Sequence, residues 1–288
     1  MVVKVGGAKA VDPAGAVGDV AHLVANGTNV VVVHGGSTAV DETLADLDIE
    51  PEYVETPGGV TGRFTDAETM TAFTMAMAGK VNTGLVAQFQ NAGVDAVGLS
   101  GVDGGLLTGP RKSAVRVLED GTKKIKRGDH SGTVESVDGD LLGLLTEAGY
   151  VPVVTVPMLG AEDDEATTFT PVNADADRAA AAVAGELGAP LVALTDVAGV
   201  YEDPDDPETR IHAVETPAEF DALEAAAEGF MTKKVMAAGE ALTAGAPKVI
   251  IADANLRDPV LAALDGDGTT VAQSAVVDDE AAAEEVES

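Results

Sequence analysis

The sequence predicts an α/β fold: an open three-layer αβα sandwich with a mainly parallel central sheet and one inserted β-hairpin. Three observations lead there. Short apolar runs such as VVKV (2–5), NVVVV (29–33), VPVVTV (151–156) and KVIIAD (248–253) alternate with amphipathic stretches, the pattern of βαβ units. Hydrophobic residues make up 45% of the chain but aromatics only 3%, so the core must be built from Val, Ala and Leu, as in sheets covered on both faces. Glycine pairs follow the first two apolar runs, at Gly6-Gly7 and Gly35-Gly36, which puts ligand loops at the carboxyl edge of the sheet.

The elements follow in order. Strand 2–5 leads into a helix over 14–26, and strand 29–33 into a helix reaching about residue 46. The clearest helix is 65–93. Thr65 and Glu68 form a capping-box pattern, and Met70, Phe73, Met77, Val81, Leu85 and Phe89 recur at helical spacing, with Gly93 as its stop. A strand at 95–101 precedes AVRVL and KKIK, which flank Asp120-Gly121, a strong hairpin signal. GTVESV (132–137) adds a strand. Alternation then resumes with helix 140–149, strand 151–156, helix 175–187 and strand 190–197. Helices near 217–227 and 231–244, strand 248–253, helix 257–265 and strand 269–272 complete the pattern. Residues 276–288, acidic and rich in small residues, read as a disordered solvating tail.

Composition excludes several classes of function. The chain has no cysteine and four scattered histidines, so disulfides, cysteine nucleophiles and thiolate metal sites are out, and no protein-borne metal site is expected. No apolar run approaches the roughly 20 residues of a membrane span. The chain opens on strand-like MVVKV, not on a basic segment followed by an apolar one, which predicts a soluble cytoplasmic protein. Against 17 Lys and Arg stand 49 Asp and Glu, a net charge of −32. Such a chain repels itself at ordinary ionic strength and repels nucleic acid. Molar salt, with a Debye length of about 3 Å, removes most of that repulsion, so the composition predicts a salt-adapted, halophilic cytoplasm.

The chemistry-bearing residues are few. No GxxxxGK[ST] is present and no GxGxxG follows a strand, so the two glycine pairs are the candidate phosphate loops, or else two plain αβ turns. Lys4, flanked by Val3 and Val5, is either a solvent-facing lysine or a phosphate ligand beside the first loop. Lys233-Lys234 opens a helix, where the macrodipole already favours an anion. Asn173, Asp175 and Asp177 precede another helix; they either cap it or hold lysines in place. Arg63 precedes the long helix, and its guanidinium suits a bidentate carboxylate clamp. Phosphoryl transfer unites these parts. Such a transfer is a matter of aligning two reactants and neutralising the charge that develops between them.

VVKVGG, VVVVHGGS, GRFTDAET, NADADRAAA, LTDVAGVY and GFMTKKVMAAGEAL, in this order, resemble the amino-acid kinase family, and within it the acetylglutamate kinases and their carrier-protein-dependent relatives. The resemblance implies that Lys4 and Lys234 bind the transferred phosphoryl group and that Asp177 orients both. It places Gly6 and Gly7 against the ATP phosphates, and Gly35 and Gly36 against substrate and γ-phosphate. Arg63 would take a substrate carboxylate and Asn173 its α-substituents, while Thr195, Asp196 and Tyr201 would line the nucleotide site, with Mg²⁺ accompanying ATP. Two departures stand out. Ser37 follows the second glycine pair where many relatives carry a third glycine, and NADAD replaces NxNAD. Ungapped spacing to TDVAG favours Asp177 over Asp175.

The stretch 111–127 gathers Arg111, Lys112, Arg116, Lys123, Lys124, Lys126 and Arg127. It resembles the branch whose acceptor, glutamate or 2-aminoadipate, is attached to a small acidic carrier protein, LysW. That implies a basic hairpin over 111–137 as carrier dock; a solvated hairpin is the plain alternative. The competing functions are N-acetylglutamate kinase acting on the free substrate and a non-catalytic nucleotide-binding regulator. The resemblance further implies an acceptor-binding and dimerisation lobe at 1–172 and an ATP lobe at 173–275. Lys4 stands too near the start of the chain for the extra N-terminal helix of arginine-inhibited relatives, so a homodimer without that feedback is expected.

Overall fold

The computed structural model describes residues 1–7, 12–55, 57, 61–119, 122–162 and 167–277. The predicted turn at Asp120-Gly121 and the tail beyond Val277 lie outside them.

The central sheet is α/β and mainly parallel. Strands β1 (Val2–Val5), β2 (Val31–His34), β9 (Val151–Ala161), β11 (Leu191–Thr195) and β13 (Lys248–Asp253) form its middle, in the order β13-β11-β1-β2-β9, all pairs parallel. On one side β14 (Thr269–Ala272) pairs antiparallel with β13 and carries the short β12 (Ala213–Val214). On the other, β5 (Ala96–Gly101), β6 (Leu107–Glu119) and β10 (Phe169–Val172) all pair with β9. β6 continues into the hairpin with β7 (Thr122–Gly132). The predicted strand 132–137 reduces to β8 (Ser136–Val137), because Gly132 already ends β7. A small antiparallel pair, β3 (Tyr53–Glu55) with β4 (Thr61–Arg63), was not signalled by the sequence.

Two apolar clusters cover the sheet's faces. Val3, Val5, Val32, Val192 and Ile250 pack beneath α1 (Ala14–Ala25) and α9 (Pro259–Leu264). Val2, Val31, Val33, Leu191 and Ile251 pack on the other face, against α6 (Ala176–Glu186) and α8 (Phe230–Thr243). Alternation along β1 therefore turns Lys4 toward the α6 side with Val2. Ala179, Ala180, Ala181 and Ala184 of α6 are all buried, and these small side chains let α6 lie close to both sheet and α8. The approach is so tight at Gly185 that a Cβ there would stand 2.4 Å from that of Ala244.

The predicted helix 65–93 is three segments: α3 (Ala67–Thr74), a π-helical stretch Met75–Asn82, and α4 (Thr83–Asn91). Its cap corrects the expected Thr65–Glu68 box. Asp66 is the N-cap, its carboxylate accepting from the Thr69 N–H at 2.8 Å, while Thr65 is wholly buried. Among the described residues, no helix is long and apolar enough to cross a membrane.

Candidate active site

The site is a buried triad of charges where β1, α6 and α8 meet. Lys4 is 5% exposed, and its Nζ lies 2.5 Å from Asp177 Oδ1. Lys234 Nζ lies 3.2 Å from Asp177 Oδ2. The solvent-facing alternative for Lys4 is thereby ruled out. Burial pushes the Asp177 carboxyl up, but the two ammonium groups and their hydrogen bonds outweigh it and hold its pKa below the ordinary carboxylate value. Burial lowers the Lys234 pKa first and the charge of Lys4 second, with Asp177 acting in the opposite sense. The two aspartates differ in place: Asp175 caps α6, accepting from the N–H groups of Asp177 and Arg178, while Asp177 reaches both lysines. With one carboxylate against two buried ammonium groups, the cluster carries a surplus positive charge at β1, the strand from which the first glycine loop leaves.

Those loops interlock. A Cβ at Gly7 would stand 2.0 Å from the Gly36 nitrogen and 2.4 Å from the Gly35 carbonyl carbon, so no other residue fits at Gly7. A Cβ at Gly36 would stand 2.6 Å from Met77 Sδ of the π-helical stretch. Gly35 N–H donates to Val5 O at 3.1 Å and Thr38 N–H to Gly7 O at 3.4 Å. The two glycine pairs, nearly thirty residues apart in the chain, thus meet through Gly7, Gly35 and Gly36, with α2 (Ser37–Asp46) rising from Gly36.

Arg63 closes another side. Its Nη2 donates to Asp41 Oδ1 at 2.5 Å, to the Tyr53 hydroxyl at 3.1 Å and to Ser37 O at 3.3 Å, and its guanidinium lies over the Tyr53 ring at 5.5 Å. Its Nε is buried with no partner, a donor left over for an oxyanion. Asp41 and Tyr53 were not signalled by the sequence. Asn173 is bound to the hairpin root: its N–H donates to His130 O and its carbonyl accepts from Gly132 N–H, both at 2.8 Å. Its side-chain amide donates to Thr65 Oγ1 at 3.3 Å.

The hairpin root explains GDHSG. The β6–β7 register jumps from Lys112↔Ser131 to Ala114↔Arg127, leaving Gly128, Asp129 and His130 as a bulge, with Gly128 at φ 90°. The bulge tucks Asp129, 1% exposed, beneath Thr65, whose N–H it accepts at 3.2 Å, and it also accepts from the Ser131 hydroxyl. The seven basic residues do not form one surface, contrary to expectation. Arg111 pairs with Glu162 at 2.5 Å and donates to Asp129 O. Lys126 pairs with Glu52 and lies 4.4 Å from the Phe64 ring centre. Residues opposite one another share a face, so Arg116↔Ile125, Leu118↔Lys123 and Ala114↔Arg127 line the face away from Phe64. There Arg116, Lys123 and Arg127 are exposed and Ile125 is 66% exposed. Lys112 and Lys124 are exposed as well.

The remaining predicted positions lie at the edge of β11. Thr195 is buried at its end, its hydroxyl donating to Asp196 at 3.1 Å, and Asp196 is exposed. Tyr201 bridges Arg210 through the backbone, and Arg210 is anchored to Asp267 at 2.6 Å. Gly6 precedes Gly7 in the first loop. Among the described residues, no group of three or more His, Cys, Asp or Glu side chains is placed to hold a metal ion.

A mainly parallel αβα sandwich with paired lysines bridged by a carboxylate, and glycine loops at its strand ends, suits a phosphotransferase. Residues 1–253 match the sequence profile of the amino acid kinase family, and this chain belongs to that family. A [LysW]-aminoadipate kinase from Thermus thermophilus is 41% identical over 277 residues, covering 94% of this chain and 99% of that protein. An acetylglutamate kinase from Methanopyrus kandleri is also 41% identical, over 253 residues, covering 87% and 93%. Among solved structures, N-acetylglutamate synthase from Neisseria gonorrhoeae superposes with a TM-score of 0.70 at 24% identity over 94% of this chain. This chain spans only 58% of that longer one. Carbamate kinase from Giardia lamblia superposes with a TM-score of 0.66 at 16% identity, covering 94% and 98%. Those two likenesses establish the fold.

Proposed function

We propose that this protein transfers the γ-phosphoryl group of ATP to the side-chain carboxylate of glutamate or 2-aminoadipate carried on a LysW-type acidic protein, in arginine or lysine biosynthesis. The observation that carries the transfer is Asp177 set between Lys4 and Lys234 beside the interlocked glycine loops. The acceptor carboxylate attacks phosphorus as the bond to the ADP oxygen breaks; the products are an acyl phosphate and ADP. Lys4 and Lys234 neutralise the charge spread over the phosphoryl oxygens, and Asp177 keeps both ammonium groups aimed. Gly6 and Gly7 take the ATP phosphates, Gly35 and Gly36 the acceptor side. Arg63 holds a substrate carboxylate through a fork whose Nε is open, and Asn173 holds the α-substituents. Thr195, Asp196 and Tyr201 line the nucleotide end. Bound with the nucleotide, Mg²⁺ would add to the charge neutralisation that Lys4 and Lys234 supply. Residues 1–172 serve the acceptor and dimerisation, and 173–275 serve ATP. The protein works in a salt-rich cytoplasm as a homodimer formed through the 67–91 helical run, where Met75 is 56% exposed.

Carrier attachment is supported by the hairpin and by the Thermus thermophilus relative. The outer face, with Ile125 ringed by Arg116, Lys123 and Arg127, suits an acidic partner with an apolar spot at its centre. A second reading, phosphorylation of free N-acetyl-L-glutamate, is supported by the equally identical Methanopyrus kandleri relative. ADP release in molar salt decides: carrier-bound glutamate and aminoadipate are expected to turn over and free N-acetylglutamate is not. Turnover of the free compound alone would reverse the assignment. ATP binding without turnover on any acceptor would leave a nucleotide-binding regulator.

A further inference from the structure

Beneath the second glycine loop lies a histidine that the charge triad does not use. His34 ends β2, is 1% exposed, and its ring touches two hydrogen-bonding partners. Nδ1 lies 2.9 Å from the Gly35 carbonyl oxygen. Nε2 lies 3.0 Å from Asn82 Nδ2, and the same Nδ2 lies 2.8 Å from Val153 O. Asn82 closes the π-helical stretch and is itself 5% exposed.

The chemistry of these atoms fixes every proton. Val153 O only accepts, so the Asn82 amide must turn its NH₂ toward it and hence toward His34. Nε2 therefore accepts, and the ring proton sits on Nδ1, where it donates to Gly35 O. Both ring partners are uncharged, and burial holds the ring neutral, its pKa lowered to about 4. Gly98 makes room for this arrangement: a Cβ there would stand 2.2 Å from Asn82 Oδ1.

A trans peptide directs its C=O and N–H to opposite edges. With the Gly35 carbonyl held against the imidazole, the Gly36 N–H turns away from the core. The Gly36 nitrogen is the atom that lies against Gly7, at the junction of the two loops. We infer that His34 is a positioning residue: as the neutral Nδ1–H tautomer, set by Asn82, it fixes the Gly35–Gly36 peptide so that Gly36 N–H is presented to the transferred phosphoryl group. The π-helical stretch supports the loop twice, through Asn82 on His34 and through Met77 beneath Gly36.

The inference rests on Gly36 facing the phosphoryl group, so its test has one arm that does not. In ¹⁵N spectra of the full-length protein labelled at histidine, one of the four imidazoles is expected as the neutral Nδ1–H tautomer, unchanged from pH 8 to pH 5. Four Nε2–H tautomers, or four rings titrating near pH 6.5, would overturn the hydrogen-bond scheme whatever the enzyme phosphorylates. In the second arm, Asn82→Asp removes the donor to Nε2 and draws the proton there. The expected result is a loss of kcat of tenfold or more, KM for ATP within twofold, and a new ionisation in the kcat–pH profile. A flipped tautomer with unchanged kcat would show that His34 packs the loop without aiming it.

Discussion

The Lys4–Asp177–Lys234 cluster and the 111–127 hairpin both gather scarce positive charge, yet their surroundings differ completely. The cluster is buried, with one carboxylate shared by two ammonium groups at 2.5 and 3.2 Å. The hairpin's outer cations stand in solvent around an exposed isoleucine. Interactions in the first are short-range and little screened, and removing one member leaves another charge uncompensated. Interactions in the second fade with ionic strength over a few ångströms. In a protein of net charge −32, the lesson is that buried positive charge can serve chemistry at any salt concentration. Exposed positive charge is screened in molar salt, and an apolar side chain such as the exposed Ile125 is not.

Four experiments test that contrast. Asp177→Ala, which leaves two buried lysines facing each other, is expected to lower the unfolding free energy by about 3–5 kcal/mol, measured by chemical denaturation. A change under 1 kcal/mol would mean the cluster is far wetter than its burial indicates. Lys4→Ala or Lys234→Ala is expected to cut kcat by about 10²–10³-fold with the fold retained by circular dichroism. A near-normal rate would remove that lysine from the transfer step. A third test uses His34, whose pKa is lowered to about 4. Its neutral form is favoured by folding, so this stability is complete above the unfolded value near 6.5 and is lost as pH falls through that value toward 4. Between pH 8 and pH 5 the loss amounts to about 2 kcal/mol, and a His34→Gln variant is expected to lack that slope. The smallest effect is at the hairpin: Arg116→Glu with Lys123→Glu is expected to raise KM for a carrier-bound acceptor about tenfold in low salt and less in molar salt. Ile125→Asp should keep its effect at both. Equal behaviour of the two variants would erase the distinction drawn between charge and anchor.

The sequence was most legible where one physical rule dominated. The apolar runs at 2–5, 29–33, 151–156 and 248–253 became parallel strands because nothing but burial on both faces suits them. Lys4 stood out as a charge inside such a run, and the sheet then determined which way it faced. What escaped were features set by tertiary contact. β3–β4 and β12 are too short to show a period, and Asp41, Asp129 and Asn82 are single polar residues whose partners are remote in sequence. The π-helical stretch did leave a trace. Phe73, Met77, Val81, Leu85 and Phe89 repeat strictly every four residues, and in an α-helix each such step overshoots a full turn by about 40°. A wider turn absorbs that drift and keeps Phe73, Met77, Leu85 and Phe89 buried. The Thr65–Glu68 capping pattern misled because Asp66 is the stronger cap and Thr65 is held by the hairpin bulge, its N–H donating to Asp129.

The bonds between Asn173 and the hairpin root also set a distance. Ile125 stands opposite Arg116, and Gly132, whose N–H is tied to Asn173 O, stands opposite Arg111, five steps back along β6. At about 3.4 Å per residue in an antiparallel strand, the ribbon's apolar spot lies about 17 Å from the root. On the proposed function, an acceptor delivered by a carrier seated there would hang on an arm of comparable reach, about five residues of extended chain. The hairpin would then act as a ruler, sorting partners by the length of the tether as well as by the surface they present.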